Sequence, residues 1–371
     1  MTSWLNGISY LVRKVGGSRK RLLLILVTGF SLTILLDIFV VEKIFDLLVY
    51  LYIAIGIIAV LYGILPLYTS RRLVRYYWQR ASKNRLAVGG LAFILFLIML
   101  ALIGPFLTMD PTEVNFAEKN LPPPGFTVEE SVYNLKTQQF ITVVTTGTAK
   151  HPLGTDNKGR DLLAMIISGA RISLQVGLLA SGIAIALGTV IGVSSAYLGS
   201  KVDNILMRFT DIMMTFPFFL LLVFIVFIFG PNLVFIILVI GLTGWTGTAR
   251  LVRSEALSLR TREFVMAAKA LGASDGRIIL VHLIPNVISL IIVIATLSIP
   301  GVILAEAALS FIGLGDPSVA SWGMILRSGQ QSLDTTWWVA VAPGAMLFLT
   351  VLAFNFLGDG LRDAFDPRST V

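Results

Sequence analysis

Long apolar runs free of charge recur along the chain. Leu47–Ser70, Leu86–Met109, Ile172–Ser200, Ile212–Ala249 and Thr335–Gly358 contain no Asp, Glu, Lys or Arg, and Ile278–Ala305 is broken only by His282. A hydrocarbon core about 30 Å thick takes roughly 20 helical residues, so each run is long enough to cross a membrane. The run 212–249 would make a helix about 57 Å long at 1.5 Å per residue. Gly230-Pro231-Asn232 punctuates it near the middle, and that turn chemistry predicts two helices, about 212–229 and 233–250. Leu22–Val41 adds a further span, with Asp37 toward its outer end. The pattern predicts eight spans. The basic flank Arg19-Lys20-Arg21 fits a signal peptide, but the apolar part is too long and no small-x-small cleavage site follows. A retained anchor is expected.

Composition agrees. The 371 residues are 56% hydrophobic and 13% charged, with a mean hydropathy of +0.86. Soluble domains run at roughly 45–50% apolar and about 25% charged. There is no cysteine, which excludes disulfides, thiolate zinc sites and cysteine nucleophiles. The net charge is +8. With the N-terminus inside and eight spans, 21 of the 29 basic residues fall on the inner side, as positively charged inner loops require. Both termini are then cytoplasmic, and the basic excess faces anionic lipid rather than nucleic acid.

This divides the chain into a cytoplasmic segment 1–21, a hairpin of spans 22–70, a basic linker 71–85 and a span 86–109. An external segment 110–170, five further spans over 171–358 and a cytoplasmic tail 359–371 follow. In 1–21, Trp4, Leu5, Ile8, Leu11, Val12 and Val15 share one helical face, the pattern of an interfacial helix; a loosely ordered tail is the alternative. Asp110–Lys150 is polar and acidic and carries Pro122–Pro124. It is long for a plain connector and suits docking of an external partner.

Catalytic chemistry finds little support. His151 and His282 fall on opposite sides of the membrane and cannot share a metal. Gly154–Asp161 has the Gly-x4-Gly spacing of a phosphate loop but lacks the Lys-Ser/Thr pair that would hold phosphate and magnesium. Gly188 and Gly192 have the spacing that lets helices approach closely. Asp37, Arg171, Asp203, Arg208, Asp211 and Glu306 lie in or near spans, where a charge seeks water or a partner. Arg208 and Asp211 are three apart and suit a local pair. Arg171 and Glu306 suit either a polar solute path or gate, or interfacial placement. The runs Ile225–Phe229 and Leu290–Ala295 suit helix packing or lipid contact.

The long inner loop 250–286 is the most informative segment. Residues 261–271 have a helical pattern with Phe264, Val265, Ala268 and Leu271 as an apolar stripe, and Arg262, Glu263 and Lys269 as polar positions. Ala267 and Ala268 favour helix, Gly272 is placed to end it, Asp275 can begin the next turn, and Pro285 stands at the start of the next span. A short helix of this kind either lies on the membrane surface or enters a cleft on another protein.

The spacing of Ala267-Ala268, Gly272 and Pro285 resembles the EAA loop of binding-protein-dependent ABC import permeases. Leu86–Pro111, HPLGTDNKGRDLLAMIISGARISL (151–174), ALSFIGLGDPSVASWGMIL (308–326) and FNFLGDGLRDAFDPR (354–368) resemble the C-type permease subunits of the oligopeptide, dipeptide and nickel import family, over about residues 80–368. Two departures stand out. Met266 occupies the acidic position of the EAA motif, and the two spans within 22–66 are additional to the family's usual six.

The resemblance implies an all-α polytopic membrane protein with a six-helix type I permease core plus two extra N-terminal spans. It implies a prokaryotic cell membrane location and no catalysis by this chain. Its partners would be a homologous permease chain, two ATPase subunits that bind ATP and Mg, an external solute-binding protein and the lipid bilayer. The coupling residues would be Arg262, Glu263, Ala267, Ala268, Leu271, Gly272 and Pro285. Short peptides are the expected solute, with nickel or oligosaccharides as alternatives. The binding protein would touch 110–160 and 311–336. A gradient-driven transporter or a membrane scaffold are the rivals from other classes.

Overall fold

The computed structural model describes residues 78–106, 108–134 and 139–365. The expected spans within 22–70, the N-terminal amphipathic segment and Asp37 lie outside the described residues. Among the described residues five helices are long and apolar enough to cross a membrane, or six if one bent pair counts as a span.

Helix α1 (Arg85–Ile103) starts where Asn84 accepts hydrogen bonds from the backbone N–H of Leu86 and Ala87 at 3.1 and 3.2 Å, an N-cap that satisfies otherwise orphaned donors. It ends in a short 3-10 turn, Gly104–Phe106. The segment that follows, too long for a plain connector, contains an element the sequence reading does not predict, a two-stranded antiparallel pair, β1 (Thr127–Asn134) against β2 (Gln139–Thr146). The run Ile141-Thr142-Val143-Val144-Thr145-Thr146 is rich in the β-branched residues that favour strands. The hairpin is an addition to an otherwise helical fold.

Helix α2 (Leu162–Tyr197) is the spine. Its 36 residues span about 54 Å. It starts ten residues before the expected run because Asp161 caps it, accepting the N–H of Ala164 at 2.8 Å. The first turns are apolar, and Arg171 is carried on an exposed face. Gly199, at φ +102°, turns the chain into α3 (Ser200–Thr215).

The expected straight helix 212–229 is instead divided. α3 and α4 (Phe218–Phe229) meet at a 75° bend. Pro217 sits at the break, and Phe216 before it is extended, at ψ 125°, because a residue preceding proline is pushed out of the α region. The expected break holds: Gly230 adopts φ +83° and Asn232 caps α5 (Leu233–Thr243). Helix α6 (Trp245–Arg260) continues that rod. α7 (Glu263–Ala270) is short. One helical turn at Asp275–Arg277 and a π segment at Ile278–Leu283 then lead without interruption into α8 (Ile284–Phe311). α9 (Trp322–Gln330) and α10 (Trp337–Phe365) complete the described chain.

α2 is flanked by α5, α6 and α8, while α10 packs on α1, α8 and α9. The α2–α6 contact is made by the two glycines noted in the sequence. A Cβ at Gly188 would lie 2.6 Å from Thr248 Cβ, and one at Gly192 would lie 2.6 Å from the Ala249 carbonyl oxygen. Lipid tails give apolar helices no reason to leave them for one another, so close backbone approach of this kind supplies the packing energy.

Candidate functional site

One end of the bundle holds α7. Its fixed point is Val265, 2% exposed, which sits in an apolar cluster with Val193 of α2, Val252 and Leu259 of α6, and Ile278, Leu283 and Val287. Ala268, one turn on, packs against the same cluster. Of the expected stripe, only these two positions face inward. Phe264, Met266 and Leu271 are exposed, Leu271 by 88%, as are Arg262, Glu263 and Ala267. Eight residues cannot bury a wide face against one small cluster, so the remaining apolar side chains stay on the outside.

Gly272 ends α7 as its position predicts. It adopts φ +77°. Its N–H donates to the Lys269 carbonyl at 3.0 Å, and the N–H of Ala273 donates to the Ala268 carbonyl at 3.1 Å. Together these form the two-bond Schellman closure of a helix C-terminus. Pro285 lies two residues past a π segment, inside a continuous helix rather than at a span's first turn. Proline has no N–H for the carbonyl four residues back, and a π-register turn accommodates such a mismatch. Asn286 Nδ2 adds a bond to the His282 carbonyl at 2.6 Å.

Charged side chains bind this region to the spans. Arg253 of α6 grips Asp203 of α3 through Nε at 2.6 Å and Nη2 at 2.5 Å, and Ser195 of α2 donates to the same carboxylate. Arg260 donates to the Ala196 carbonyl at 2.9 Å. Asp211 pairs with Arg250 of α6 at 2.5 Å. The expected Arg208–Asp211 pair is therefore replaced by a contact between two helices. The fork between Arg253 and Asp203 fixes orientation as well as distance, so α6, which leads into α7, is braced against α3 and α2.

At the other end, residues 108–161 build a polar network around the start of α2. His151, 2% exposed, has Nδ1 2.8 Å from Asp161 Oδ1 and Nε2 3.2 Å from Glu118 Oε2. Lys150 donates to both Glu118 oxygens at 2.7 and 2.8 Å. The Lys150 bond, and then the His151 bond, hold the Glu118 carboxyl below the usual carboxylate range. The loop Gly154–Asp161 is organised by its own buried Asp156. That carboxylate accepts the backbone N–H groups of Lys158 and Arg160, both at 2.9 Å, and the Arg160 guanidinium at 2.6 and 2.8 Å. The loop's internal anion is a side chain, and its two glycines serve the backbone, Gly154 at φ +81° and Gly159 at φ +73°. Trp338 Nε1 donates to the Thr155 carbonyl at 3.1 Å, tying this network to α10.

Arg171 and Glu306 are separated in character. Arg171 is exposed on α2. Glu306 of α8 is 1% exposed and accepts from Ser310 Oγ at 2.6 Å. Among the described residues the two form no ion pair with each other. Among the same residues, no group of three or more His, Asp or Glu side chains could hold a metal ion.

Comparison with known proteins agrees with the sequence motifs. Residues 188–371 match the family described as binding-protein-dependent transport system inner membrane component. Residues 72–123 match the N-terminal transmembrane domain of oligopeptide transport permease C. The oligopeptide transport system permease protein OppC of Haemophilus influenzae is 39% identical over 299 residues, covering 79% of this chain and 89% of the relative. The dipeptide transport system permease protein DppC of Bacillus subtilis is 39% identical over 294 residues, covering 78% and 84%. Among solved structures, a chain from inward-facing conformations of the MetNI methionine ABC transporter aligns at 20% identity and a TM-score of 0.46. That alignment covers 54% of this chain and 97% of the other. By its motifs and its 39% identity to these permeases over about four-fifths of its length, the chain belongs to the binding-protein-dependent inner-membrane permeases, in the OppC/DppC group of oligopeptide and dipeptide transport proteins.

Proposed function

We propose that this chain is one of two permease subunits of an ATP-driven importer of short peptides. The observation that carries this reading is α7. It is held at its base by Val265, closed at Gly272, preceded by the helix α6 that Arg253 and Arg260 brace against α3 and α2, and apolar on its exposed side at Phe264, Met266 and Leu271. A helix so held can transmit movement, and its outer face fits a groove on a cytoplasmic ATPase subunit. ATP and Mg bind at the two ATPase subunits, and this chain hydrolyses nothing. Met266 makes the contact apolar where an EAA loop would place a carboxylate.

In this arrangement both termini and α7 face the cytoplasm, and the network at 108–161 faces outward to receive a peptide-loaded binding protein. Closure of the ATPase pair on ATP pushes α7. Because α7 shares its apolar cluster with α2, α6 and α8, that push tilts these helices and alternates the solute path between the two sides. The names of the aligned permeases support short peptides as the solute. The test is reconstitution of the complete importer in liposomes with a labelled tripeptide and its binding protein. ATP-dependent accumulation is expected. Uptake that follows an imposed ion gradient without the ATPase subunits would refute the reading.

A further inference from the structure

Midway along α2 and α8 the helices leave a half-open pocket of about 220 Å³. It is bounded by Ser181 of α2, Phe218 at the start of α4, Gly244 between α5 and α6, Thr248 of α6, and Ser298 and Gly301 of α8. Two features set it apart from a packing fault. Ser181 is 2% exposed, and its Oγ has no hydrogen-bond partner, whereas Ser298 Oγ is satisfied by the Ile294 carbonyl at 2.6 Å. A buried hydroxyl left unpaired carries a desolvation penalty, and a ligand atom in the cavity would remove it. Gly301 is the second. A Cβ there would meet nothing within 4 Å, unlike at Gly188 and Gly192, where glycine is required by a neighbouring backbone.

Size limits the occupant. An apolar cavity of about 150 Å³ takes up benzene, and whole drug-sized ligands need roughly 300 Å³ or more. A half-open pocket of 220 Å³ lies between these, with room inside for one aromatic or branched side chain while the rest of a tripeptide stays outside it. Its wall is mainly apolar, with Ile185, Ile240, Val302 and Phe218 among its residues, and the Ser181 hydroxyl can pair with a peptide group beside that side chain. We infer that this cavity is a subsite of the transport path that receives one apolar side chain of the peptide in transit, with Gly301 setting its capacity. The inference rests on the peptide-import reading above and adds selectivity within the permease itself.

The experiment uses the complete reconstituted importer with Ala-Phe-Ala and Ala-Ala-Ala, after measuring the affinity of the binding protein for each. Gly301→Val fills the cavity from a helical position and replaces glycine in a helix, so it does not threaten folding by propensity. The expected result is a fall in Ala-Phe-Ala uptake on the order of tenfold, the scale of discrimination by a pocket of altered size, with Ala-Ala-Ala uptake unchanged. Gly301→Ala should give a smaller fall in the same direction. Ser181→Ala should slow both peptides while leaving binding-protein affinity unchanged. Equal loss for both peptides with Gly301→Val, or no loss for either, overturns the subsite. So does a phospholipid that copurifies with the wild type and is lost in Gly301→Val while both peptides are still transported, since the cavity would then hold an acyl chain. Failure of the wild-type complex to import either peptide removes the import reading itself, a result separable from those three.

Discussion

Substitution of Gly272 separates a coupling helix from an ordinary surface helix. Gly272 adopts φ +77° with nothing within 4 Å of a Cβ, so the cost of a side chain comes from the backbone and not from a clash. A non-glycine residue held in the left-handed region costs about 1–2 kcal/mol. A β-branched residue is a true outlier there, and about 3 kcal/mol is the upper end for a strained residue. Gly272→Val therefore reverses or unwinds the Schellman closure. Helix α7 has little to resist this, since its apolar anchors are Val265 and Ala268, with Phe264 beside the His282 ring, and segments with few buried contacts open at small free energies. The rest of the cluster, with Val193, Val252, Ile278 and Leu283, does not depend on Gly272 and keeps the spans assembled. The expected outcome is normal membrane insertion and yield, with ATP-driven peptide uptake abolished. Gly276→Ala is the matched control, because Gly276 also has open space but no positive φ; it should transport normally. Gly272→Asn should retain part of the uptake, because asparagine tolerates the left-handed region. Normal uptake by a well-expressed Gly272→Val variant would refute the docking role.

Three further outcomes follow from packing and charge. Gly188→Val drives a side chain into Thr248 and the Trp245 carbonyl; overpacking of this kind costs about 1–3 kcal/mol or more, and thermal unfolding in detergent should shift downward, while Gly247→Ala, which meets nothing within 4 Å, should not shift it. Arg253→Met leaves Asp203 without its fork, and since the pair is 31% and 20% exposed the cost should fall below the 3–5 kcal/mol of a fully buried pair, to about 1–2 kcal/mol in unfolding, with the Asp203→Asn/Arg253→Met double variant recovering part of it. Glu118 has its carboxyl held low by Lys150 and His151, so its contribution is complete above the ordinary carboxylate value of 4.5 and is lost as pH falls through the depressed value. Proteolysis of the segment between α1 and α2 should therefore rise only in that acid range, and Glu118→Gln should remove this part of the pH dependence.

The sequence made legible what depends on local chemistry. Gly230 and Asn232 divide the long apolar run, and Gly272 closes α7, because a positive φ and a capping amide are properties of the residues at those positions. Gly188 and Gly192 announced a close contact without naming its partner, which is α6. Charge-free runs alone misplaced the start of α2, since Arg171 can ride on an exposed face while the Asp161 cap ten residues earlier begins the helix. The bend at Pro217 carried a usable signal in the Phe216-Pro217 pair, masked by uniform hydropathy around it. The hairpin at 127–146 was hidden by its polar setting, although its β-branched run was visible. Asp211 reached Arg250 rather than Arg208 because a contact 39 residues away depends on how α3 and α6 pack, which spacing within one helix does not encode. The inward placement of Val265 and the outward placement of Phe264 and Leu271 depend likewise on the cluster that receives α7.

The central claim is that α7 docks on an ATPase subunit, and the absence of cysteine allows a direct measurement. A single cysteine at Ala267, exposed on α7, and another at Ala117 in the segment between α1 and α2 as control, are crosslinked in native membranes and the partners are identified by mass spectrometry. The account predicts ATPase subunits joined at position 267 and absent at 117, with a second permease chain in the same purified complex. A well-expressed chain that purifies alone, with no ATPase joined at 267, would contradict it.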